Sequence, residues 1–218
     1  DTAKVVADNR EYKTMTGKYK GRSISVTSTG IGCPSTAIAV EELANIGAKT
    51  FVRMGTSGAM QDFTRVGDKV IATGAVRFEG TSVQYMPIEF PAVASHEMVT
   101  ALVRSASDAK LNYHTGIVQS KDSFYGQHSP EDMPIAQELL QKWDAWVKGG
   151  VLCSEMEAAT LFVVGSYRKL RTGAVLLVAG DQAKGESLTK EDYQQNMTES
   201  INMILEASLD IEEESNNG

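Results

Sequence analysis

A three-layer α/β sandwich, with helices on both faces of a central mixed and mostly parallel sheet, is the fold class this sequence predicts. Segments of strand character alternate with segments of helical period along the chain. Ala174 to Ala179 (AVLLVA) is an unbroken apolar run of strand length, the pattern of a strand covered on both faces. The stretch from about Glu155 to Leu170 is apolar nearly all round, as a buried helix is.

The elements follow in order. Lys4 to Asp8 and Arg22 to Ser28 read as strands, with Glu11 to Lys20 as an additional strand between them and Gly21 as a turn residue. A glycine loop, Gly30-Ile31-Gly32-Cys33-Pro34-Ser35, then leads into a helix with Ala39, Leu43 and Ile46 on one face. Pro34 suits its first turn and Gly47 its end. Thr50 to Val52 opens the next strand, Lys69 to Phe78 the one after, and His96 to Ala109 reads as a helix. Tyr113 to Ser120 is a strand and Phe124 to Met133 a loop rich in polar and aromatic side chains. Ile135, Leu139, Trp143, Trp146 and Val147 share a helical face that stops at Gly149-Gly150. Tyr193, Met197, Ile201, Ile204 and Leu205 mark a last amphipathic helix. No repeat or linker divides the 218 residues, so a single domain is expected.

The formal charge is -7, and no Lys/Arg cluster offsets it, which argues against a nucleic-acid surface. Part of the acidic excess lies at the C-terminus, in Asp210 and Glu212 to Glu214, and reads as a solvated helix end. Cys33 and Cys153 lack CxxC spacing and read as free thiols in a reducing compartment. With no signal segment and no apolar run able to span a bilayer, a cytoplasmic protein is expected.

Three segments could carry chemistry. In Thr50 to Met60 (TFVRMGTSGAM), Arg53 follows a strand and precedes a Gly-Thr-Ser-Gly run whose backbone could be exposed. A guanidinium beside hydroxyls and glycines can hold a phosphate, although alone the run reads equally as a turn with a surface arginine. Ser154-Glu155-Met156-Glu157 brings two carboxylates to the start of an apolar helix. Their burial requires compensation, from the helix N-terminus or from the hydroxyls of a sugar. Simple decoration of a helix start is the alternative. In Asp122 to His128 (DSFYGQH), the amide of Gln127 offers one donor and one acceptor, the complement of a pyrimidine edge. Phe124 could stack on a planar ring, and His128 reads as a loop residue. Gly30-x-Gly32-x-x-Ser35 fails as a dinucleotide fingerprint at its third position. His96 and His114 show no ligand spacing, so no catalytic metal is expected.

In this order, these segments closely resemble the nucleoside phosphorylase superfamily, and within it the uridine phosphorylases, from about Val5 to Ala207. The specific pieces are Ser28-Thr29-Gly30-Ile31-Gly32 with Pro34-Ser35, Arg53-Met54-Gly55-Thr56, Pro87 to Ala94 (PIEFPAVA), Asp122 to His128, and Glu155-Met156-Glu157. The resemblance implies phosphate ligands at Arg53, Gly55 and Thr56, joined by Arg10 reaching into a neighbouring subunit's site. It implies a ribose segment at Glu155, Met156 and Glu157, with Glu157 on the sugar hydroxyls. A base pocket falls on Phe124 and Gln127, with Gln182 and Asp181 nearby. Glu11, Ser35 and the Ile31 carbonyl match positions that hold a monovalent cation, such as potassium, between subunits. No organic cofactor is implied, phosphate being a co-substrate, and a homo-oligomer is expected, a dimer or a trimer of dimers.

The implied activity is reversible phosphorolysis of uridine, a pentosyl transfer, with Arg53, Gln127 and Glu157 as the catalytic set. Four departures from the family bear on it. The chain begins after the usual first strand and helix, which carry a Gly-Asp-Pro turn, an arginine and a histidine; a fragment or an incomplete site is the expectation. No arginine follows Gln127, which leaves Gln182 or Lys184 to contact the base. Asp181 stands where the uridine enzymes tend to have asparagine, and purine-specific relatives place an acid near there. Cys33 replaces a glycine of the loop. The rival readings are a purine nucleoside phosphorylase using Asp181 as acid, a hydrolytic nucleosidase, and a non-catalytic nucleoside-binding relative.

Overall fold

Three strands open the chain and form a sheet of their own: β1 (Lys4–Asn9), β2 (Tyr12–Tyr19) and β3 (Arg22–Thr27), antiparallel in that order. The computed structural model describes the backbone of residues 2–215 and the side chains as far as Ile211. The residues of β1 are all exposed, so this sheet is attached to the body by polar contacts. The Tyr12 hydroxyl donates to the Ser35 carbonyl at 3.0 Å, and the Lys20 ammonium to Glu206 at 2.7 Å.

The remaining elements alternate as expected. They are α1 (Cys33–Asn45), β4 (Thr50–Ala59), β5 (Lys69–Phe78), α2 (Ser82–Tyr85), β6 (Ala92–Val93), α3 (His96–Asp108), β7 (Tyr113–Lys121), α4 (Phe124–His128), α5 (Ala136–Lys148), β8 (Cys153–Glu155), α6 (Ala158–Arg168), β9 (Arg171–Asp181), β10 (Glu186–Ser187) and α7 (Lys190–Ser215). A mixed sheet runs β10-β9-β4-β8-β7-β5-β6, with the long pairings β4–β9 and β5–β7 parallel. A further antiparallel pairing of Lys69 to Ile71 with Leu177 to Val175 joins β5 to β9 and closes the sheet on itself.

Alternation along the strands divides the core between two faces. Val70, Ala72, Ala174, Leu176 and Val178 pack with α1 and α6. Ile71 and Val175 point the other way, onto Met98 and Leu102 of α3 and Met203 and Ala207 of α7. Helices therefore cover both faces of the sheet. The eight residues Ala158 to Gly165 of α6 are all buried, as its uniformly apolar sequence requires. Phe162 is fully buried at its centre. Phe162→Ala should destabilise the protein by about 3–5 kcal/mol, the usual range for emptying such a site, measurable by urea unfolding.

Several local expectations need correction. Glu155 does not start a helix: it ends β8, and α6 begins at Ala158 after a bend. Phe124 to Met133 is not an open loop, because the Ser123 hydroxyl caps α4 by accepting from Gly126 N. Ile46 lies beyond the end of α1 and is 81% exposed; the run of small residues in α1 offers Thr36, Ala37, Val40 and Ala44 as the buried stripe instead. On α7 the buried stripe is Ser200, Met203, Ala207 and Ile211, with Ile201 turned outward. The side chains of Glu212 to Glu214 lie outside the described residues.

Candidate active site

A single row of residues crosses the sheet where four strands end. Gly180 of β9 pairs with Gly58 of β4, Gly58 with Ser154 of β8, and Ser154 with Gln119 of β7. The predicted residues gather around this row.

Arg53 belongs to β4. Its guanidinium folds back over Gly55, where a β-carbon would stand 2.5 Å from Nη2, so only glycine leaves room for it. Nε donates to Glu155 Oε2 at 2.9 Å, and Nη2 is paired with Glu157 Oε2. Glu155 is 3% exposed and is held from several sides. It accepts from the Ser120 hydroxyl, from Glu157 N at 2.9 Å and from Ala158 N at 3.0 Å, so the first turn of α6 supplies its donors. The other carboxylate, Glu157, accepts from Gly32 N at 2.6 Å. Gly32 has φ 98°, a left-handed conformation that favours glycine, and it brings the 28–32 loop down onto the cluster.

Electrostatics follow from this packing. Burial opposes the charge on Arg53, but Glu155 and Glu157 outweigh it and hold the guanidinium pKa above its ordinary value. Burial raises the pKa of Glu157, an effect that Arg53 offsets only in part. The cluster is thus a buried cation between two carboxylates.

Thr56 follows on β4 with its side chain exposed. The Gly55 to Gly58 run is not a free turn, as the sequence predicts: it is strand, laddered to β9 from Gly55–Leu176 through Gly58–Gly180. Its other edge meets β8 only at Gly58 and Ala59, so Gly55 to Ser57 are not laddered to β8.

Gln127 reaches the same row from α4. Its Oε1 accepts from Ser154 Oγ at 2.5 Å, and its Nε2 lies over Gly58, 3.8 Å from where a β-carbon would be. Phe124, 49% exposed, is stacked on His128 with ring centroids 4.1 Å apart. Burial and the charge of Lys121 lower the pKa of His128. Gln182 donates to the His128 carbonyl at 2.9 Å, tying α4 to the end of β9. Asp181 is paired with Lys184 at 2.7 Å, and this partner draws its pKa below the ordinary value. The two side chains that sequence offered in place of an arginine are therefore already engaged with protein groups.

Arg10 and Glu11 form the tip of the β1–β2 hairpin, and Arg10 makes no ion pair among the described residues. The Ser28 hydroxyl donates to the Glu11 carbonyl at 2.6 Å, so the hairpin rests on the loop that Gly32 anchors. Ser35 Oγ donates to Ile31 O at 3.3 Å, and the Glu11 side chain packs beside Gly30. Glu11, Ile31 and Ser35 thus share one neighbourhood at the surface. Cys33, Glu79 and Asp122 also place ligand-type atoms within 4.8 Å of one another. Glu79 is occupied by Thr81 N, Ser82 N and Thr160 Oγ, however, and the Cys33 thiol, its pKa raised by burial, donates to Met156 O.

Sequence reading missed Gln119, Ser120 and Lys121. A signal existed: three polar residues in succession end β7, a strand otherwise flanked on both sides. All three are buried, at 2%, 0% and 4% exposure. No helix among the described residues is long and apolar enough to cross a membrane.

The sequence profile described as the phosphorylase superfamily matches residues 1–210. A uridine phosphorylase of Treponema pallidum is 54% identical over 203 residues, covering 93% of this chain and 78% of that protein. One from Thermococcus kodakarensis is 49% identical over 191 residues, covering 85% and 68%. A guanosine phosphorylase of Halorubrum lacusprofundi is 41% identical over 214 residues, covering 95% and 84%.

Proposed function

Because this chain belongs to the phosphorylase superfamily, we propose that it carries out the reversible phosphorolysis of uridine, yielding uracil and ribose 1-phosphate in nucleoside salvage. It acts as a pentosyltransferase on a nucleoside and inorganic phosphate. The observation that carries the reading is the Arg53 guanidinium clasped by Glu155 and Glu157, one strand residue away from Gln127 through Ser154.

In this reading Arg53, with Gly55 and Thr56, holds phosphate at the end of β4, while Glu155 keeps the guanidinium aimed. Met156 and Glu157 line the ribose, with Glu157 on its hydroxyls. Phosphate placed below the sugar replaces a bimolecular encounter with a positioned one. As the glycosidic bond lengthens, the anion stabilises positive charge on the sugar, and donors of the base pocket stabilise negative charge on the base. Phe124 and Gln127 form that pocket.

Arg10 serves the site of a second copy, which makes the working unit a homo-oligomer, a dimer or a trimer of dimers. The oxygen donors of Glu11, Ile31 and Ser35 suit a hard monovalent cation such as potassium and lie on one exposed face, as a site shared between copies would. No organic cofactor is involved, and the protein works in the cytoplasm.

The purine alternative draws on the guanosine-named relative and on Asp181. A carboxylate whose pKa is held down by Lys184 is ionised at neutral pH and is a poor proton donor. Uridine should therefore be cleaved faster than inosine, only when phosphate is present, and Asp181→Asn should keep most of the uridine activity. Chromatographic assay of both nucleosides with and without phosphate decides this. Preference for inosine, with activity lost in Asp181→Asn, would transfer the proposal to purines.

A further inference from the structure

Lys121 ends β7 inside the protein, where a strand end would ordinarily deliver a lysine to water. The acids that face it, Glu155 on β8 and Glu157 on the following bend, are paired with Arg53. Its ammonium instead donates to the Ser154 hydroxyl at 2.7 Å. That hydroxyl, 3% exposed as a residue, shares its single proton between the amide oxygens of Gln127, at 2.5 Å, and Gln119.

The chain of donors has a direction. A hydroxyl whose lone pair is filled by an ammonium is a stronger donor. It fixes Gln127 with its carbonyl turned to Ser154 and its NH2 turned over Gly58, toward the row where the strands end. A cation buried with no ion pair among the described residues is costly, and an anion formed beside it would offset that cost. Phosphorolysis supplies one: a phosphate oxygen bonds to C1′, the C1′–N1 electron pair remains on the base, and solvent later returns a proton.

Resting on the reading of this chain as a pyrimidine nucleoside phosphorylase, we propose that Lys121 is a positioning residue of the base pocket. Through Ser154 it sets the orientation of Gln127, and its charge stabilises the departing base anion. Burial pushes the ammonium pKa down to about 8, so the charge is present at pH 7 and lost as pH rises toward 9. The other titratable and charged groups around it change little in that window. The Cys153 thiol on β8 is pushed up to about 12 by burial, Arg53 remains charged, and His128 on α4, its pKa lowered by burial and by Lys121, is already neutral.

The test is calorimetric titration of uracil, and separately of inorganic phosphate, into wild type, Lys121→Met, Lys121→Arg and Ser154→Ala at pH 7 and 9, with steady-state turnover of uridine alongside. Lys121→Met should weaken uracil and lower kcat/KM for uridine by about 10–100-fold at pH 7, the worth of a charge-assisted hydrogen bond. Phosphate affinity should hold. Lys121→Arg should recover most of the loss, and Ser154→Ala should fall toward Lys121→Met. Wild type should lose uracil affinity between pH 7 and 9, while Lys121→Met stays flat. Wild-type uracil affinity in Lys121→Met, or an equal loss of phosphate affinity, would overturn the proposal. If Lys121→Met fails to fold, Ser154→Ala and the wild-type pH profile decide the same question. A wild type that binds hypoxanthine and refuses uracil would remove the pyrimidine reading, and the lysine is then judged by the same variants on hypoxanthine. Binding of neither base would end both.

Discussion

Arg53→Ala is expected to reduce phosphate-dependent turnover by about 10²–10³-fold, the cost of removing a preorganised group from a developing charge. The same change strands Glu155 and Glu157, two buried carboxylates, without their cation. Breaking a buried pair in this way destabilises by about 3–5 kcal/mol. Kinetics should therefore be run at a temperature where circular dichroism shows the variant folded. Arg53→Lys keeps the charge but gives up the fork that reaches two carboxylates at once, and it should fall between wild type and alanine. Unchanged phosphate affinity in a folded Arg53→Ala would remove Arg53 from the anion site.

The second large effect separates the two glutamates. Glu155→Gln leaves the Arg53 Nε, the Ser120 hydroxyl and the two backbone N–H groups at the start of α6 competing for a single neutral acceptor. About 3–5 kcal/mol of stability should be lost, as for other broken buried pairs, and activity should fall because Arg53 is no longer aimed. Glu157→Gln, by contrast, keeps an acceptor for Gly32 N, and burial already opposes the charge that it removes. It should lose turnover with a much smaller change in urea midpoint. Equal loss of stability in both variants would mean that Glu157 is as structural as Glu155.

The layered fold was legible because apolar periodicity survives in any single segment: AVLLVA in β9 and the uniformly apolar α6 need no partner to be recognised. Arg53, Glu155 and Glu157 were legible for the converse reason, being charges set in apolar surroundings. What escaped depends on long-range register. Nothing local in β1, β2 and β3 distinguishes strands of the main sheet from strands of a separate one. The Ser154–Gln127 bond spans 27 residues, and Lys121, beside Asp122, looks like any solvated strand end until β8 closes over it. Gly55 to Gly58 misled in the opposite sense. Glycine usually announces a turn, but Gly55 instead leaves room for the Arg53 guanidinium to fold back along a strand.

The pairing of β5 with β9 makes β9, β4, β8, β7 and β5 a ring in which every strand has a neighbour on each side. The five strands of the ring therefore present no open edge to another chain, which removes the usual template for edge-to-edge association. The parts hung on the rim, the 28–32 loop with its hairpin and α4 with its stacked rings, are held differently. They are fastened by side-chain hydrogen bonds: Gly32 to Glu157 for the loop, and Gln127 to Ser154 with Gln182 to the His128 carbonyl for α4.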